Sequence, residues 1–308
     1  RVDIVIGTSP HFFTACAAYM VSRAKRIPFV FELRDLWPES IRAVGAMQNS
    51  AWLDRLERLE MFLYRKADRI VSVTESFKRN LVDRGVDANK IDVITNGVDT
   101  NRFHPCPRDE TLASELGVTG KFLAGYIGTH GMAHGLETLL EAAARLQDDP
   151  EASDVRILFM GDGARKAALI ERADAMQLNN VVFVDSVPKD QVIRYMSLLD
   201  VSIIHLRKTA LFTSVIPSKL FENMGMGIPV LHGVAGESAD IVQRTGCGEV
   251  FEPENVDELV AGLKRMRSSE DLRQQYRDNG LKAACQYDRQ TLALEMLRVL
   301  EGCASSGA

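Results

Sequence analysis

The sequence predicts an α/β protein of two doubly wound domains with parallel sheets, the first of them incomplete. Three observations carry this. Short apolar runs rich in β-branched residues alternate with amphipathic helical stretches along most of the 308 residues. That is the pattern of parallel strands covered on both faces by crossover helices. The runs fall into two groups, separated by Asn96-Gly97-Val98-Asp99 and Phe103-His104-Pro105-Cys106-Pro107, a turn followed by a linker. Finally, residues 2–6 already read as a buried strand with no initiator Met before them, so the chain is expected to start inside a domain.

In the first group, strands are expected over residues 3–6, 29–33, 69–73 and 91–94; in the second, over 122–127, 156–160, 181–184, 201–205 and 229–232. From residue 257 the pattern is helical to about residue 301, and the tail 305–308 is expected to be disordered. Hydrophobic residues make up 46% and charged residues 26%, as in soluble globular proteins. A net charge of −5 gives no electrostatic reason to expect nucleic acid as a partner. Cys16, Cys106, Cys247, Cys285 and Cys303 are scattered and form no C-x-x-C pair. Such a set reads as free thiols of a reducing, cytoplasmic compartment. The longest apolar run, near residues 12–21, is far short of the ~20 residues that span a bilayer.

Ligands of open parallel sheets bind beyond the carboxyl ends of the strands, so the loops after strands matter most. Three in the second group stand out. The first is Gly125-Tyr126-Ile127-Gly128-Thr129-His130-Gly131 with Gly135. Its glycines allow backbone N–H groups to approach an anion, or simply make a tight turn. Gly161-Asp162-Gly163 carries the same two readings. The third is Pro217-Ser218-Lys219-Leu220-Phe221-Glu222, running on to Gly227, Pro229 and Val230. Pro217 and Ser218 are helix-start residues, and Gly227 with Pro229 make a stop. A short helix here directs its N-terminus at the ligand face. Lys219 in the first turn is locally unfavourable by roughly 0.3–1 kcal/mol, and a bound diphosphate would reverse that sign. Glu222 shares a face with Lys219 and can accept hydrogen bonds from ribose hydroxyls. The bland reading is a surface Lys–Glu pair.

The segment P-S-K-L-F-E-x-M-x-x-G-x-P-V resembles the donor-binding segment of family-four glycosyltransferases of the GT-B fold, which has two Rossmann-like domains. Ile94-Thr95-Asn96-Gly97-Val98-Asp99 with Phe103 and Pro105 resembles that family's linker. Phe31-Glu32-Leu33-Arg34-Asp35-Leu36-Trp37-Pro38-Glu39-Ser40 resembles a subgroup that builds cell-surface polysaccharides, including N-acetylfucosamine transferases of the WbuB type. The resemblance implies a partial acceptor-side domain over 1–103, a C-terminal helix over 286–303 returning to it, and a donor-binding domain over 104–285. It further implies that a half-domain of ~80–100 residues precedes residue 1, from typical domain sizes.

Residue by residue, the resemblance puts Arg34 close to the reacting sugar, Lys219 on the diphosphate and Glu222 on the donor ribose. Gly128, Thr129, His130, Gly161, Gly163, Val187, Ser214, Pro217 and Ser218 complete the donor contacts. Ser214 stands where many relatives have a first glutamate, which leaves the grip on the sugar hydroxyls open. The glycine-rich loop has His130 and His134 where many relatives have Arg and Lys, so phosphate charge would fall on Lys219, Arg207 or Lys208. Asp35 and Glu39 are acceptor contacts or bases, or else caps of the following helix.

Glycosyl transfer places negative charge on the departing diphosphate, and preorganised donors aimed there are the main expected contribution. The 308 residues contain no Asp-x-Asp, so a route without metal or other cofactor is expected. Family resemblance implies retention of anomeric configuration. The expected partners are a nucleoside-diphosphate sugar, UDP-linked by analogy, and a lipid-linked or saccharide acceptor. Residues 51–66 mix leucines with Arg55, Arg58, Arg65 and Lys66. They read as a core-facing helix with a solvated side, or as a peripheral contact with the inner face of a membrane. Three competing functions are a nucleotide-sugar 2-epimerase of the same architecture, a non-catalytic sugar-nucleotide scaffold and a nicotinamide-dependent oxidoreductase. The last is disfavoured because Gly125, Gly128 and Gly131 do not give G-x-G-x-x-G.

Overall fold

Alternation within one strand defines the two faces of the first sheet. Phe29, Phe31 and Leu33 pack into one core cluster, and Val30 between them packs into another, as a side-chain period of two requires. The computed structural model describes residues 2–36 and 51–306. It divides into two units, Arg1–Asn96 with Arg289–Ala308, and Gly97–Asp288.

The first unit holds a parallel sheet in the order β1 (Val5–Thr8), β2 (Phe29–Leu33), β3 (Arg69–Ser72), β4 (Ile91–Val93). Its helices are α1 (Phe12–Lys25), α2 (Ala51–Lys66) and α3 (Glu75–Asp83). Phe12, Ala15 and Ala18 of α1, Leu63 and Tyr64 of α2, and Phe77 and Leu81 of α3 meet the Phe29 face of the sheet. Thr74 caps α3 by accepting from the Phe77 N–H at 3.0 Å. The opposite face, at Val30 and Val71, is covered by Met296, Val299, Leu300 and Cys303 of the C-terminal helix Arg289–Ser306.

The second unit holds six parallel strands in the order β10-β9-β8-β5-β6-β7. These are β5 (Phe122–Ile127), β6 (Val155–Met160), β7 (Val181–Val184), β8 (Val201–His205), β9 (Val230–Gly233) and β10 (Gly248–Val250). Connecting helices run in chain order: α4 (Glu110–Glu115), α5 (Glu137–Gln147), α6 (Lys166–Ala175), α7 (Val192–Met196), α8 (Lys219–Met226) and α9 (Glu237–Thr245). After β10 come α10 (Val256–Ser268) and α11 (Glu270–Ala284), and the helix Arg289–Ser306 is α12. The sheet grows outward in both directions from the β5–β8 pair, so the switch point lies there. In open sheets of this order, loops leaving the two central strands part to opposite sides, and ligands bind in the crevice at their carboxyl ends. Val98 and Thr100 dock on the return strand of chain: the Val98 N–H donates to Tyr287 O at 2.9 Å, and the Thr100 hydroxyl to Asp288 Oδ2 at 2.5 Å.

Three details differ from the sequence expectation. β1 lies two residues further on, at Val5–Thr8, because Thr8 still pairs with Glu32. β10 was not foreseen. It has three residues and begins at Gly248, where a Cβ would lie 2.0 Å from Val230 O, so close pairing demands a residue that hides the strand pattern. The tail is helical to Ser306, with the Ser305 hydroxyl donating to Glu301 O at 2.9 Å. Among the described residues no helix is long and apolar enough to cross a membrane.

The α1–β1 contact is set by Gly7, whose missing Cβ would sit 2.9 Å from both Ala15 Cα and Ala18 Cβ. Gly7→Val is therefore expected to destabilise the chain by about 1–3 kcal/mol through overpacking. Urea titration of the purified variant checks this, and an unchanged midpoint would remove the close-packing argument.

Candidate functional site

Two loops at the carboxyl ends of β5 and β6 are locked backbone to backbone. The Gly128 N–H donates to Met160 O at 2.9 Å, the His130 N–H to Asp162 O at 2.8 Å, and the Arg165 N–H back to His130 O at 2.9 Å. A Cβ at Gly161 would lie 1.9 Å from Gly128 O, and one at Gly163 2.6 Å from His130 O. Gly128, Gly161 and Gly163 have φ of 149°, 142° and 152°, a region that side chains rarely enter. Of the two readings of these loops, the structure fits the tight-turn one for the N–H groups of all three glycines, which are bonded within the fold. The Gly161 N–H donates to Val184 O at 3.1 Å and the Gly163 N–H to Asp162 Oδ1 at 2.7 Å. The glycines permit contact between loops. Lys166, which sequence reasoning missed, closes the arrangement by donating to Gly161 O, Val184 O and Asp185 Oδ1 at 2.8, 3.1 and 2.5 Å.

Across the switch point stands α8. Leu220, Phe221, Asn223, Met224, Gly225 and Met226 are all buried, so the helix is enclosed on nearly every side. Lys219 and Glu222 are half-buried, and Ser218 is exposed. An ordinary surface Lys–Glu pair on a solvated helix is therefore excluded. The helix stops as expected at Gly227, φ 66°, whose N–H returns to Asn223 O and Met224 O. Its start differs from expectation: Ser218 is already helical (φ −59°, ψ −28°), and its hydroxyl makes no capping bond. Pro217 accepts from the Leu220 N–H at 3.0 Å.

Lys219 is not the exposed lysine of a surface pair. Instead its Nζ sits 4.0 Å from the centre of the Tyr126 ring, and a Cβ on Gly128 would come within 2.5 Å of it. Tyr126 is fully buried, and its hydroxyl donates to Thr129 O at 2.9 Å. This platform was also missed, because a Tyr inside a strand reads as core. Among the described residues Lys219 has no ion-pair partner within 4 Å. Burial lowers its pKa to about 8, against the pull of Glu222.

The histidines of the loop are not cations. His130 is fully buried and both ring nitrogens lack a partner. Burial first, then Lys166 and Lys219, lower its pKa to about 4. His134 is likewise lowered to about 4, by burial and then Lys219. His205, at the end of β8, places Nδ1 2.7 Å from His134 O, while its Nε2 accepts from the Glu254 N–H at 2.9 Å. Those partners require the neutral Nδ1–H tautomer. The remaining cations near the crevice are committed elsewhere. Arg207 donates to Met132 O at 2.7 Å and approaches Glu137 at 3.7 Å, and Lys208 pairs with Glu252.

Thr129 is exposed beside this loop. Ser214 ends the short 3-10 turn Leu211–Ser214 and donates to Leu211 O at 2.8 Å. Val187 packs on the core cluster that contains Met160 and Leu206. In the first unit Arg34 follows β2. Its guanidinium donates to Asn96 Oδ1 at 3.0 Å and lies 3.8 Å from Glu32. Glu32 also accepts from the Thr8 hydroxyl at 2.6 Å. The N–H groups of Arg34 and Asp35 both donate to Ser9 Oγ, at 3.0 and 3.3 Å. Glu39 lies outside the described residues. Among the described residues, no three His, Cys, Asp or Glu side chains form a group that could hold a metal ion.

Comparison with known families decides the class. The model for glycosyl transferases group 1 matches residues 108–283, and that for Glycosyltransferase Family 4 matches residues 1–102. The chain belongs to the group 1 glycosyltransferases. It is similar to WcaI of Escherichia coli K12, named as a colanic acid biosynthesis glycosyl transferase, with 24% identity over 86% of this chain. It is also similar to WbjE of Pseudomonas aeruginosa, named as a glycosyltransferase, with 24% identity over 80% of the chain. The chain spans 66% and 62% of those relatives' lengths. Among solved structures, Anabaena HepE in complex with UDP superposes with a TM-score of 0.82 at 20% identity, covering 97% of this chain and 79% of that one. WaaG, a glycosyltransferase of lipopolysaccharide biosynthesis, gives 0.68 at 16% identity, covering 94% and 84%. The transferase thus has the GT-B type of fold, two parallel-sheet Rossmann-like units.

The lowered pKa values of three enclosed histidines predict that the fold loses stability in acid. His130, His134 and His232 have folded pKa values of about 4, 4 and 3, below the usual 6.5. The stability they contribute is complete above pH 6.5 and is lost as pH falls through about 4. His130→Leu removes two unpartnered nitrogens at similar volume. It is expected to hold or raise the melting temperature at pH 7 and to shrink the loss between pH 6.5 and 4 by roughly 1–3 kcal/mol. Chemical denaturation at a series of pH values measures this, and an acid limb identical to the parent's would contradict it.

Proposed function

We propose that this glycosyltransferase moves a sugar from a UDP-linked donor to a lipid-linked or saccharide acceptor in cell-surface polysaccharide synthesis. Transfer retains the anomeric configuration and uses no metal ion. The observation that carries the reading is Lys219: a half-buried cation without an ion-pair partner among the described residues, at the start of a buried helix and beside the β5–β8 switch point. A desolvated ammonium needs a counter-charge, and a helix N-terminus adds attraction for anions. A diphosphate supplies that charge, and most strongly as it departs from the anomeric carbon, when Lys219 would stabilise it most. The choice of UDP is supported by HepE, which has been solved with UDP and with UDP-glucose.

The glycine-clamped loops, with Thr129 and the backbones of His130 and Gly163, line the proposed nucleotide side, and Val187 is the proposed base contact. Glu222 is the proposed ribose acceptor. Ser214, Pro217 and Ser218 flank the diphosphate and sugar. Arg34 and Asp35 remain assigned to the reacting sugar and the acceptor on the resemblance.

Thermal stabilisation by UDP, weaker by GDP and absent with NAD, is expected. Stabilisation by NAD alone would end the transferase reading. Lys219→Met is expected to weaken UDP binding at least about tenfold, a loss of ~1.4 kcal/mol. The same change stabilises the free protein, because Lys219 has a folded pKa of about 8, below its usual 10.5. Its burial therefore costs stability below pH 8, a cost relieved as pH rises toward 10.5. UDP affinity of the parent should fall as pH rises past about 8, and calorimetry at pH 7 and 9 tests this. For Glu222→Ala, an unaltered preference for UDP over its 2′-deoxy form would remove the ribose role.

A further inference from the structure

Lys219 holds its ammonium inside the second unit with no carboxylate against it, and a neutral side chain stands in that place. Its Nζ lies 4.0 Å from the centre of the Tyr126 ring. The other approaches of a cation to a ring among the described residues are longer. Arg102 to Phe103, Arg273 to Phe122 and Lys66 to Phe62 measure 5.4, 5.5 and 5.9 Å. Those three stand near the ~6 Å limit of a cation–π contact, whereas Lys219 rests on the ring face. Glu222, three residues on in α8, attracts Lys219 without forming an ion pair with it.

The ring itself is held from several directions. Tyr126 lies in β5 opposite Phe159 of β6 and is fully buried. Its hydroxyl donates to Thr129 O at 2.9 Å. His134 meets it edge-on and His130 lies tilted to it, each with ring centres 5.9 Å away. Burial raises the pKa of the phenol, so the ring offers a quadrupole and no formal charge. Space above its face exists because Gly128 has no side chain: a Cβ there would lie 2.5 Å from Lys219 Nζ. The charged and titratable groups facing Lys219 are Glu222 on its own helix, Tyr126 on β5, and His130 and His134 on the loop after β5. Near pH 7 both histidines are neutral, with pKa values lowered to about 4.

We propose that the face of Tyr126 is the internal partner of the Lys219 ammonium, a positioning residue that keeps it charged and in place until an anion arrives. A ring face attracts a cation through its quadrupole, and more strongly where water is excluded. A carboxylate in the same place would answer the charge and then repel an incoming diphosphate. The neutral ring does the first without the second. The contact stands on its own geometry; that it serves a diphosphate rests on the donor reading proposed above.

Fluorination of the ring tests it, because fluorine withdraws charge from the ring face at nearly constant volume. Tyr126→Phe serves as the reference, and mono-, di- and trifluorinated phenylalanines are placed at the same position by codon reassignment. Competitive trace acetylation read by mass spectrometry gives, without any ligand, the pH at which Lys219 loses its proton. That midpoint, about 8 in the parent, is expected to fall with each added fluorine, by roughly half a unit to one unit over the series. UDP affinity near pH 8 should fall in the same order, by roughly two- to fivefold, as the charged fraction of Lys219 shrinks. A midpoint that stays constant across the series would overturn the proposal. Equal losses of affinity near pH 6, where Lys219 is charged in every variant, would overturn it too, because the ring would then act on the ligand directly. A stepwise fall of the midpoint in a protein that does not bind UDP would leave this inference standing and remove the donor reading.

Discussion

The contact on which the second unit's site depends is backbone against backbone, Gly161 against the Gly128 carbonyl. No side chain fits there, since a Cβ would lie 1.9 Å from that oxygen. Because the loops can touch, the N–H groups of Gly128 and His130 reach Met160 O and Asp162 O, and β5 and β6 end as one rigid edge. The same bare Gly128 leaves the space that the Lys219 ammonium occupies. Two missing methyl groups thus divide the work: that of Gly161 lets the two loops touch, and that of Gly128 admits a cation to the face of Tyr126. Rigid support of this kind is what keeps a binding group oriented without relying on mobile side chains.

Burial then sorts the ionisable groups by type. It lowers the pKa of His130 and His134 to about 4 and that of Lys219 to about 8. Near pH 7 the same desolvation silences the histidines and leaves the lysine charged. Arg207, Lys208 and Lys166 are tied to Glu137, Glu252 and Asp185 respectively. Among the described residues, Lys219 then stands as a half-buried positive side chain without an ion-pair partner, set at the start of a helix. The first unit behaves differently: Arg34 there already has Asn96 and Glu32 within reach, so its charge is substantially answered within the fold.

Much of this was legible in the sequence, for identifiable reasons. Nine of the expected strands match nine of the ladder strands, because buried parallel strands are runs of β-branched and aromatic residues that need no tertiary information to recognise. β10 escaped because Gly248 must let the strand approach Val230 O, and a three-residue strand starting with Gly carries no run. The glycine loops were visible as loops, but the sequence left their purpose open. Whether a glycine frees an N–H for a ligand or frees room for another loop depends on which strand lies next door, and register is not written locally. The anomaly of Lys219 in a first helical turn was readable from spacing. Its burial, its seat on Tyr126 and the uncapped Ser218 are tertiary facts. So is the silence of His130, whose ring is enclosed by residues far away in the chain.

That last group shares a physical character. The region around Lys219 contains a desolvated cation with no ion-pair partner within 4 Å among the described residues, only the pull of Glu222 one turn on, and His130 nitrogens without partners. Elsewhere in the second unit His205 is bonded through both ring nitrogens, while Asn180 Oδ1 and His232 Nδ1 also lack partners, so it is the charge on Lys219 that sets this region apart. Unpaired buried charge is expensive, and proteins concentrate such expense where a ligand relieves it. The surrounding packing makes it tolerable: Leu220, Phe221 and Met224 bury α8 in the core, and Gly227 closes its end. A helix anchored so firmly cannot relax to hydrate its lysine. The fold holds the cation ready rather than comfortable, and an anion arriving at Lys219 gains the electrostatic energy that the empty protein forgoes.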